Sequence, residues 1–141
     1  MKYHFRVEKE KKGFSAQCIE FEGCVTQGDS MKELVANMEE ALNLYVFEPE
    51  DSKELVSLPD KKIKASAHII EVPLDPEIAF SFMLRYHRIK NNLTQHQAAE
   101  KMGFKSLYSY QRLEKKCNVT IDIIARVKKL FPDFSIDLAF A

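Results

Sequence analysis

The sequence lacks the features that mark a membrane protein, a secreted protein or a disulfide-rich protein. No apolar run approaches the roughly 20 residues needed to span a bilayer, and the first residues lack the apolar stretch of a secretion signal. The cysteines Cys18, Cys24 and Cys117 are odd in number and widely spaced, which fits neither a disulfide framework nor a paired-cysteine metal site. We therefore expect a cytoplasmic protein with reduced thiols and no membrane association.

Groups of residues that carry chemistry are also scarce. The histidines are scattered along the chain at His4, His68, His87 and His96. Metal ligation usually needs clustered ligands at characteristic spacing, and these positions provide none. The sequence shows no nucleotide-binding glycine loop, no Ser/His or Cys/His constellation and no repeat. We expect no cofactor, no metal ion and no enzymatic activity.

The net charge of zero conceals two halves of opposite sign. Residues 1–74 contain 10 Lys and Arg against 14 Asp and Glu, a net charge of −4. Residues 75–141 contain 11 against 7, a net charge of +4. A basic half suits a polyanion such as nucleic acid, whereas an acidic half suits a basic protein. The alternative explanation for a charge difference of this size is chance variation on a solvated surface.

Apolar and polar residues alternate in two runs on either side of a charged turn that ends at Gly13. The apolar positions are Tyr3, Phe5 and Val7 before the turn and Phe14, Ala16 and Cys18 after it. This period of two predicts a hairpin with one buried face. A third extended run is expected over 24–27, after Gly23.

A helix is predicted next, because Ser30 and Glu33 have the spacing of a capping box. Apolar residues then recur at helical spacing at Met31, Leu34, Val35, Met38, Leu42 and Tyr45. The acidic stretch Glu48-Pro49-Glu50-Asp51 should end this helix, and a further extended segment is predicted from Ile63 to Val72. The order of elements is β-β-β-α-β.

The stretch Gly23-Cys24-Val25-Thr26-Gln27-Gly28-Asp29-Ser30, followed by the amphipathic helix, resembles the HicB antitoxin family. The resemblance covers about the first third of the chain, and Ile70-Glu71-Val72-Pro73-Leu74 resembles the junction in longer family members. It implies a partial ribonuclease H-like fold that neutralises a small basic ribonuclease toxin of the HicA type. It also implies repression of the operon that encodes both proteins.

A weak metal-dependent nuclease is the enzyme alternative for this half. Such a site needs several carboxylates that converge on two metal ions. The acidic residues near the predicted strands are Glu8, Glu10, Glu20, Glu22 and Asp29. None occupies the middle of a predicted strand, so we interpret them as a solvated face that attracts a basic partner.

The second half has the pattern of a helical domain. Asp75-Pro76-Glu77 begins a helix, and Asn91-Asn92 interrupts it. Thr94 and Gln97 supply a capping box for a short second helix that runs to Met102. Gly103 provides the positive-φ residue of a tight turn. Two more helices are expected. Ser106 can cap the first, whose inner face contains Tyr110 and Leu113, and Asn118 and Thr120 precede the second, which has Ile121, Ile124, Val127 and Phe131 on one side.

The stretch from Leu93 to Phe104 resembles the Cro and phage-repressor class of helix-turn-helix. Ala99 is small where the recognition helix must cross closely, and Gly103 turns the chain. The resemblance implies that Gln95, at the exposed start of the second helix, reaches a phosphate or a neighbouring base. Lys105 makes the turn one residue longer than the common pattern, which leaves the register of the recognition helix open by one position.

If the third helix enters the major groove, its first and outer residues face the bases. The residues expected at bases are Ser106, Leu107, Tyr108 and Gln111, and those expected at phosphates are Lys105, Arg112, Lys115 and Lys116. Gln111 is the best candidate for reading adenine. The alternatives place Leu107 in the core, pack Tyr108 against the protein and make the two final lysines an ordinary solvated face.

The last residues alternate again, with Phe134, Ile136, Leu138 and Phe140 as the apolar positions. This period predicts a C-terminal strand. A lone strand must pair with something, and the candidates are the 63–72 segment or the same strand of a second chain. We therefore expect a homodimer or higher homo-oligomer.

The sequence as a whole predicts an α+β protein. A partial ribonuclease H-like domain over 1–60 and a linker strand over 61–73 precede a helix-turn-helix domain with a C-terminal dimerisation strand over 74–141. The expected function is an antitoxin that neutralises a HicA-like ribonuclease toxin and autorepresses its operon by binding operator DNA. The alternative is a stand-alone helix-turn-helix regulator whose N-terminal domain senses a small molecule.

Overall fold

The chain is α+β, with a four-stranded antiparallel sheet and six helices in the part that the structure describes. The structure is a computed structural model that describes residues 1–47 and 54–141. It has two compact units. The first contains Met1–Val46 and Ser57–Asp75, and the second contains Pro76–Ala141 and also takes in Phe47–Val56, of which only 47 and 54–56 are described. Within the described ranges, no helix has the length and apolar character needed to cross a bilayer.

The sheet of the first unit has the order β3-β2-β1-β4. Its strands are β1 (Lys2–Lys9), β2 (Phe14–Cys18), β3 (Val25–Gly28) and β4 (Ile69–Pro73). The predicted hairpin is confirmed, since Phe5 lies opposite Cys18 and Val7 opposite Ala16. The turn requires Gly13, whose φ is +76° and where an added Cβ would lie 2.3 Å from a backbone oxygen.

Helix α1 (Met31–Val46) covers one face of this sheet. The Ser30 hydroxyl accepts from the Glu33 N–H at 3.1 Å, as the capping box predicts, and the Glu33 carboxylate accepts from the Asp29 N–H at 2.9 Å. The buried helix positions are Leu34, Met38, Leu42 and Val46. Met31 and Val35 are partly exposed instead, so only part of the predicted apolar stripe, at Leu34, Met38 and Leu42, is fully buried.

The extended segment predicted from Ile63 to Val72 is too long, because only its last part forms β4. Lys2 lies opposite Pro73 and Arg6 opposite Ile69, and the Val7 N–H donates to the His68 carbonyl at 2.8 Å. Pairing with β1 therefore covers β4 and little of the chain before it. The predicted helix end at Glu48-Pro49-Glu50-Asp51 lies outside the described residues.

The described residues of the second unit form five helices. They are α2 (Pro76–Lys90), α3 (Gln95–Lys101), α4 (Leu107–Leu113), α5 (Ile121–Leu130) and α6 (Ile136–Phe140). The predicted caps of α3 and α4 are confirmed, since Thr94 and Ser106 each accept a backbone N–H three residues later. Thr120 caps α5 in the same way. The largest fully buried side chains of this unit include Phe80, Met83, Leu84, Tyr110, Val127 and Phe134. Of the residues expected on one side of α5, Val127 is fully buried but Ile121 is 86% exposed.

The predicted C-terminal strand is wrong, because residues 136–140 form the short helix α6. Ser135 caps it by accepting from the Leu138 N–H at 3.0 Å. Its aromatic neighbours pack on α2, where the Phe80 ring lies 5.2 Å from Phe134 and 6.4 Å from Phe140 between centroids. The Ala139 N–H donates to the Ser135 carbonyl at 3.1 Å, so this segment bonds locally and does not form the strand edge that was expected to need a partner.

A buried histidine makes the stability of the second unit depend on pH. His87 lies 5.8 Å from the Phe131 ring and 5.4 Å from the Phe134 ring between centroids. Burial lowers the pKa of His87 from 6.5, and nearby Lys90 lowers it further. The unfolded chain therefore takes up this proton first as the pH falls, and unfolding becomes more favourable below about pH 6.5.

We expect the free energy of unfolding to fall between about pH 7.5 and about pH 5.5, and His87→Phe to reduce that fall because the variant has no proton to bind there. Urea denaturation of both proteins at the two pH values measures the difference. The same loss in wild type and variant would show that His87 does not contribute.

Candidate nucleic-acid interface

Two short helices, α3 and α4, pack together through small and aromatic side chains. The start of α3 is a complete capping box: the Thr94 hydroxyl accepts from the Gln97 N–H at 3.1 Å, and the Gln97 side chain accepts from the Thr94 N–H at 2.9 Å. Gly103, at φ +76°, ends the helix with nothing within 4 Å of an added Cβ. The turn therefore needs glycine for its backbone conformation and not for space.

The buried residues of α4 determine which of its other residues are exposed. Tyr110 is fully buried and Leu113 nearly so, as predicted, and Ala99 of α3 is also buried, at 4% exposure. Because helix positions repeat every 3.6 residues, the residues between these anchors point outward. The outer surface of α4, taken together with the residues that directly follow the helix, exposes Tyr108, Arg112, Lys115 and Lys116, with Gln111 half-buried among them.

These outer residues line a shallow groove of about 190 Å³. The guanidinium carbon of Arg112 lies 6.0 Å from the centroid of the Tyr108 ring, which suits a cation–π contact. Lys116 also lies 3.7 Å from Glu77, but both side chains are nearly half exposed, so that ion pair contributes little. The groove thus combines an aromatic ring, an amide and several cations.

The other predicted contact residues lie at the start of α4. Leu107 and Tyr108 are 38% and 68% exposed, so neither is buried in the core. Lys105 is exposed in the turn. Ser106 is exposed too, but its hydroxyl accepts from the Ser109 N–H at 3.2 Å and lies 2.8 Å from the Ser109 hydroxyl. Its main local role is therefore to cap α4.

A buried ion pair beneath this surface was not foreseen from the sequence. Arg88 of α2 donates through Nε to both carboxylate oxygens of Glu114, at 2.8 and 3.0 Å, and through a terminal nitrogen to the Leu93 carbonyl at 2.9 Å. The two side chains are 9% and 3% exposed. The only sequence signal is a charged residue within each apolar pattern, which does not identify the partner 26 positions away.

The ion pair continues to the surface through two glutamines. Gln95 donates its side-chain nitrogen to Glu114 at 3.2 Å, and its side-chain oxygen accepts from the side-chain nitrogen of Gln111 at 3.1 Å. The fold thus brings together Gln95 and Gln111, which the sequence analysis singled out separately. Nearby, the Tyr110 hydroxyl is buried, and burial raises the pKa of Tyr110, with a further increase from the Glu114 carboxylate.

The acidic residues of the first unit are divided between a buried contact and exposed positions. Glu20 is buried and lies 2.6 Å from the His4 Nδ1, with a further bond from the His4 N–H at 3.1 Å. On α1, by contrast, Glu33, Glu39 and Glu40 are exposed. Across residues 1–47 and 54–141, no group of three or more His, Cys, Asp or Glu side chains is placed to hold a metal ion.

No protein-family model matches the chain, and no curated protein matches its sequence. A fold class alone does not determine a function, which depends on the geometry and charge of particular side chains. In this chain those features are the outer surface of α4 and the acidic residues of the first unit.

Proposed function

We propose that the second unit binds duplex DNA, with α3 and α4 acting as a helix-turn-helix and α4 lying in the major groove. The observation that carries this proposal is the exposed groove formed by α4 and the residues that follow it, in which Gln111, the candidate for reading adenine, lies beside Arg112, Lys115 and Lys116. Recognition helices contact base edges with their outer residues while flanking cations contact phosphates. The resemblance of Leu93 to Phe104 to the phage-repressor class supports the same arrangement.

The electrostatics of the two halves favour this division of labour. The second half has a net charge of +4, whereas the first has −4. Neutralising phosphates releases counterions and provides affinity without sequence preference, and Lys105 and Arg112 add charge at either end of α4. The first half has no such excess of cations, so DNA binding is assigned to the second unit alone.

For the first unit we propose a basic protein partner, a HicA-like ribonuclease toxin. The exposed Glu33, Glu39 and Glu40 of α1 offer acidic contacts to such a partner. The resemblance of the stretch from Gly23 to Ser30 to HicB antitoxins supports the same partner. Together the two units form a non-enzymatic antitoxin that represses its own operon.

A second copy on the operator is part of this proposal, because helix-turn-helix modules commonly read two half-sites. The strand that was expected to join the two copies is a helix, α6, so strand pairing no longer supports the dimer. The proposal depends on operator geometry alone, and light scattering with and without operator DNA measures it.

Substitutions on α4 should separate base reading from phosphate binding. Gln111→Ala is expected to weaken operator binding by roughly 1–3 kcal/mol and to relax base preference at one position. Lys115→Ala should weaken binding to all sequences alike. Fluorescence anisotropy with operator and scrambled duplexes compares them. Equal losses on both duplexes for both variants would remove Gln111 from base reading.

Neutralisation of the partner should need only the first unit, provided that β4 is included. A fragment of residues 1–75 is expected to rescue cells from the toxin without binding DNA, whereas a fragment of 1–60 should rescue poorly because β1 loses a paired neighbour. Cell survival with equal fragment levels is the measurement. Rescue that needs residues beyond 75 would contradict this assignment, as would RNA cleavage by the fragment with Mg²⁺.

A further inference from the structure

The hydrogen bonds that join Glu114, Gln95 and Gln111 have a fixed direction. A carboxylate accepts hydrogen bonds and cannot donate them, and the guanidinium of Arg88 holds that of Glu114 at 2.8 and 3.0 Å. The nitrogen of the Gln95 amide must therefore face Glu114, as it does at 3.2 Å. The oxygen of the same amide is then left to face Gln111.

The orientation of the Gln95 amide in turn determines the orientation of the Gln111 amide. Its nitrogen donates to the Gln95 oxygen at 3.1 Å, and the opposite rotamer would set two acceptor oxygens against each other. One N–H of Gln111 is therefore occupied, and one N–H and the side-chain oxygen are left for other partners. Gln111 lines the groove with Tyr108 and Arg112, so a ligand in the groove can reach the remaining N–H and the oxygen of the Gln111 side chain.

We propose that Glu114 is a specificity-determining positioning residue, which acts through Gln95 to hold Gln111 as one donor beside one acceptor. In the major groove, adenine presents an acceptor at N7 and a donor at its N6 amine, whereas guanine presents acceptors at both N7 and O6. The held amide matches adenine and sets its oxygen against an acceptor of guanine. This inference rests on the proposed binding of DNA by α4.

A purely structural role for the same residues has a different consequence. If the buried pair only stabilised the fold, its loss would weaken binding to all DNA sequences by the same factor. If the pair sets the direction of the amide hydrogen bonds, its loss changes the ratio of the affinities for two bases. The ratio of dissociation constants for adenine and guanine at one position therefore separates the two roles.

Glu114→Gln is the most direct test, because it keeps the shape of the side chain and allows its hydrogen bonds to run in either direction. An amide at position 114 can donate a hydrogen bond to Gln95 as well as accept one from it. If the hydrogen bonds run in the reverse direction, both side-chain N–H groups of Gln111 face outward. Gln95→Met is the second variant: it leaves the buried ion pair intact and frees Gln111 to turn. Glu100→Gln, at an exposed position of α3, is the matched control for the charge change.

The experiment selects duplexes from a random pool with the full-length wild-type protein and then measures dissociation constants for adenine and guanine at each position. Circular dichroism first confirms that each variant is folded, and Gln95→Met serves as the test if Glu114→Gln is not. Wild type and Glu100→Gln are expected to prefer adenine by about 10-fold or more at one position. In Glu114→Gln and Gln95→Met this ratio should fall to within about threefold of unity or favour guanine.

An adenine preference that survives in the folded variants would overturn the inference and leave DNA binding by α4 standing. Wild-type protein that prefers guanine at every purine position would also overturn it. Failure of the wild-type protein to bind any duplex would overturn the proposed function and this inference with it.

Discussion

Replacing Glu114 with leucine is expected to destabilise the protein by about 3–5 kcal/mol, since removing one member of a buried ion pair leaves the other charge uncompensated. Arg88 is 9% exposed at its side chain and donates to both Glu114 oxygens. Water cannot replace those bonds without opening the core between α2 and α4. Urea denaturation followed by circular dichroism measures the loss.

Two controls separate this cost from a general effect of the substitution. The double variant Arg88→Met with Glu114→Leu should recover much of the stability, because no buried charge is left unpaired. Breaking the exposed pair of Arg126 and Asp122, 3.0 Å apart, with Asp122→Ala should cost less than about 1 kcal/mol. Equal losses of stability for Glu114→Leu and Asp122→Ala would show that breaking the buried pair costs no more than breaking an exposed one.

Removing three cations from the outer surface of α4 is expected to have the largest effect on DNA binding. The triple variant Arg112→Gln, Lys115→Gln and Lys116→Gln should lower affinity for any duplex by roughly 100-fold at moderate salt. The slope of log affinity against log salt concentration should become shallower by up to about 3, since each phosphate contact contributes about 0.9. Anisotropy titrations at several salt concentrations measure both quantities.

The matched control removes the same number of charges from the first unit. Lys61, Lys62 and Lys64 are exposed and lie outside the second unit. Changing all three to glutamine should leave the salt slope unchanged if α4 binds the phosphates. A similar loss in both triple variants would mean that net charge alone, without a defined surface, attracts the DNA.

The features that sequence could predict are those fixed within a few residues. The capping boxes at Ser30 and Thr94 and the cap at Ser106 were predicted because a side chain there bonds to a backbone group three residues away. The turn at Gly103 was predicted for a similar reason, since few residues other than glycine adopt a positive φ without strain. These local rules placed most helix starts and the exposed face of α4.

The features that sequence could not predict depend on distant partners. Phe134, Ile136, Leu138 and Phe140 alternate like a strand, but a run this short does not distinguish the two periods, and packing on α2 with the Ser135 cap produces a helix. The pairing of Arg88 with Glu114 was missed because it joins separate helices. The candidate contact residues were therefore found one by one, and the hydrogen bonds that connect Gln95 with Gln111 were not.

The most direct test of the account is a titration of the full-length protein against duplexes enriched from a random pool, with scrambled duplexes of equal length as the comparison. The account predicts saturable binding that is at least about 1,000-fold tighter to the enriched sequence, that weakens steeply with salt, and that is lost in the α4 triple variant. Binding of equal strength to both duplexes, or enriched binding that the triple variant retains, would contradict it.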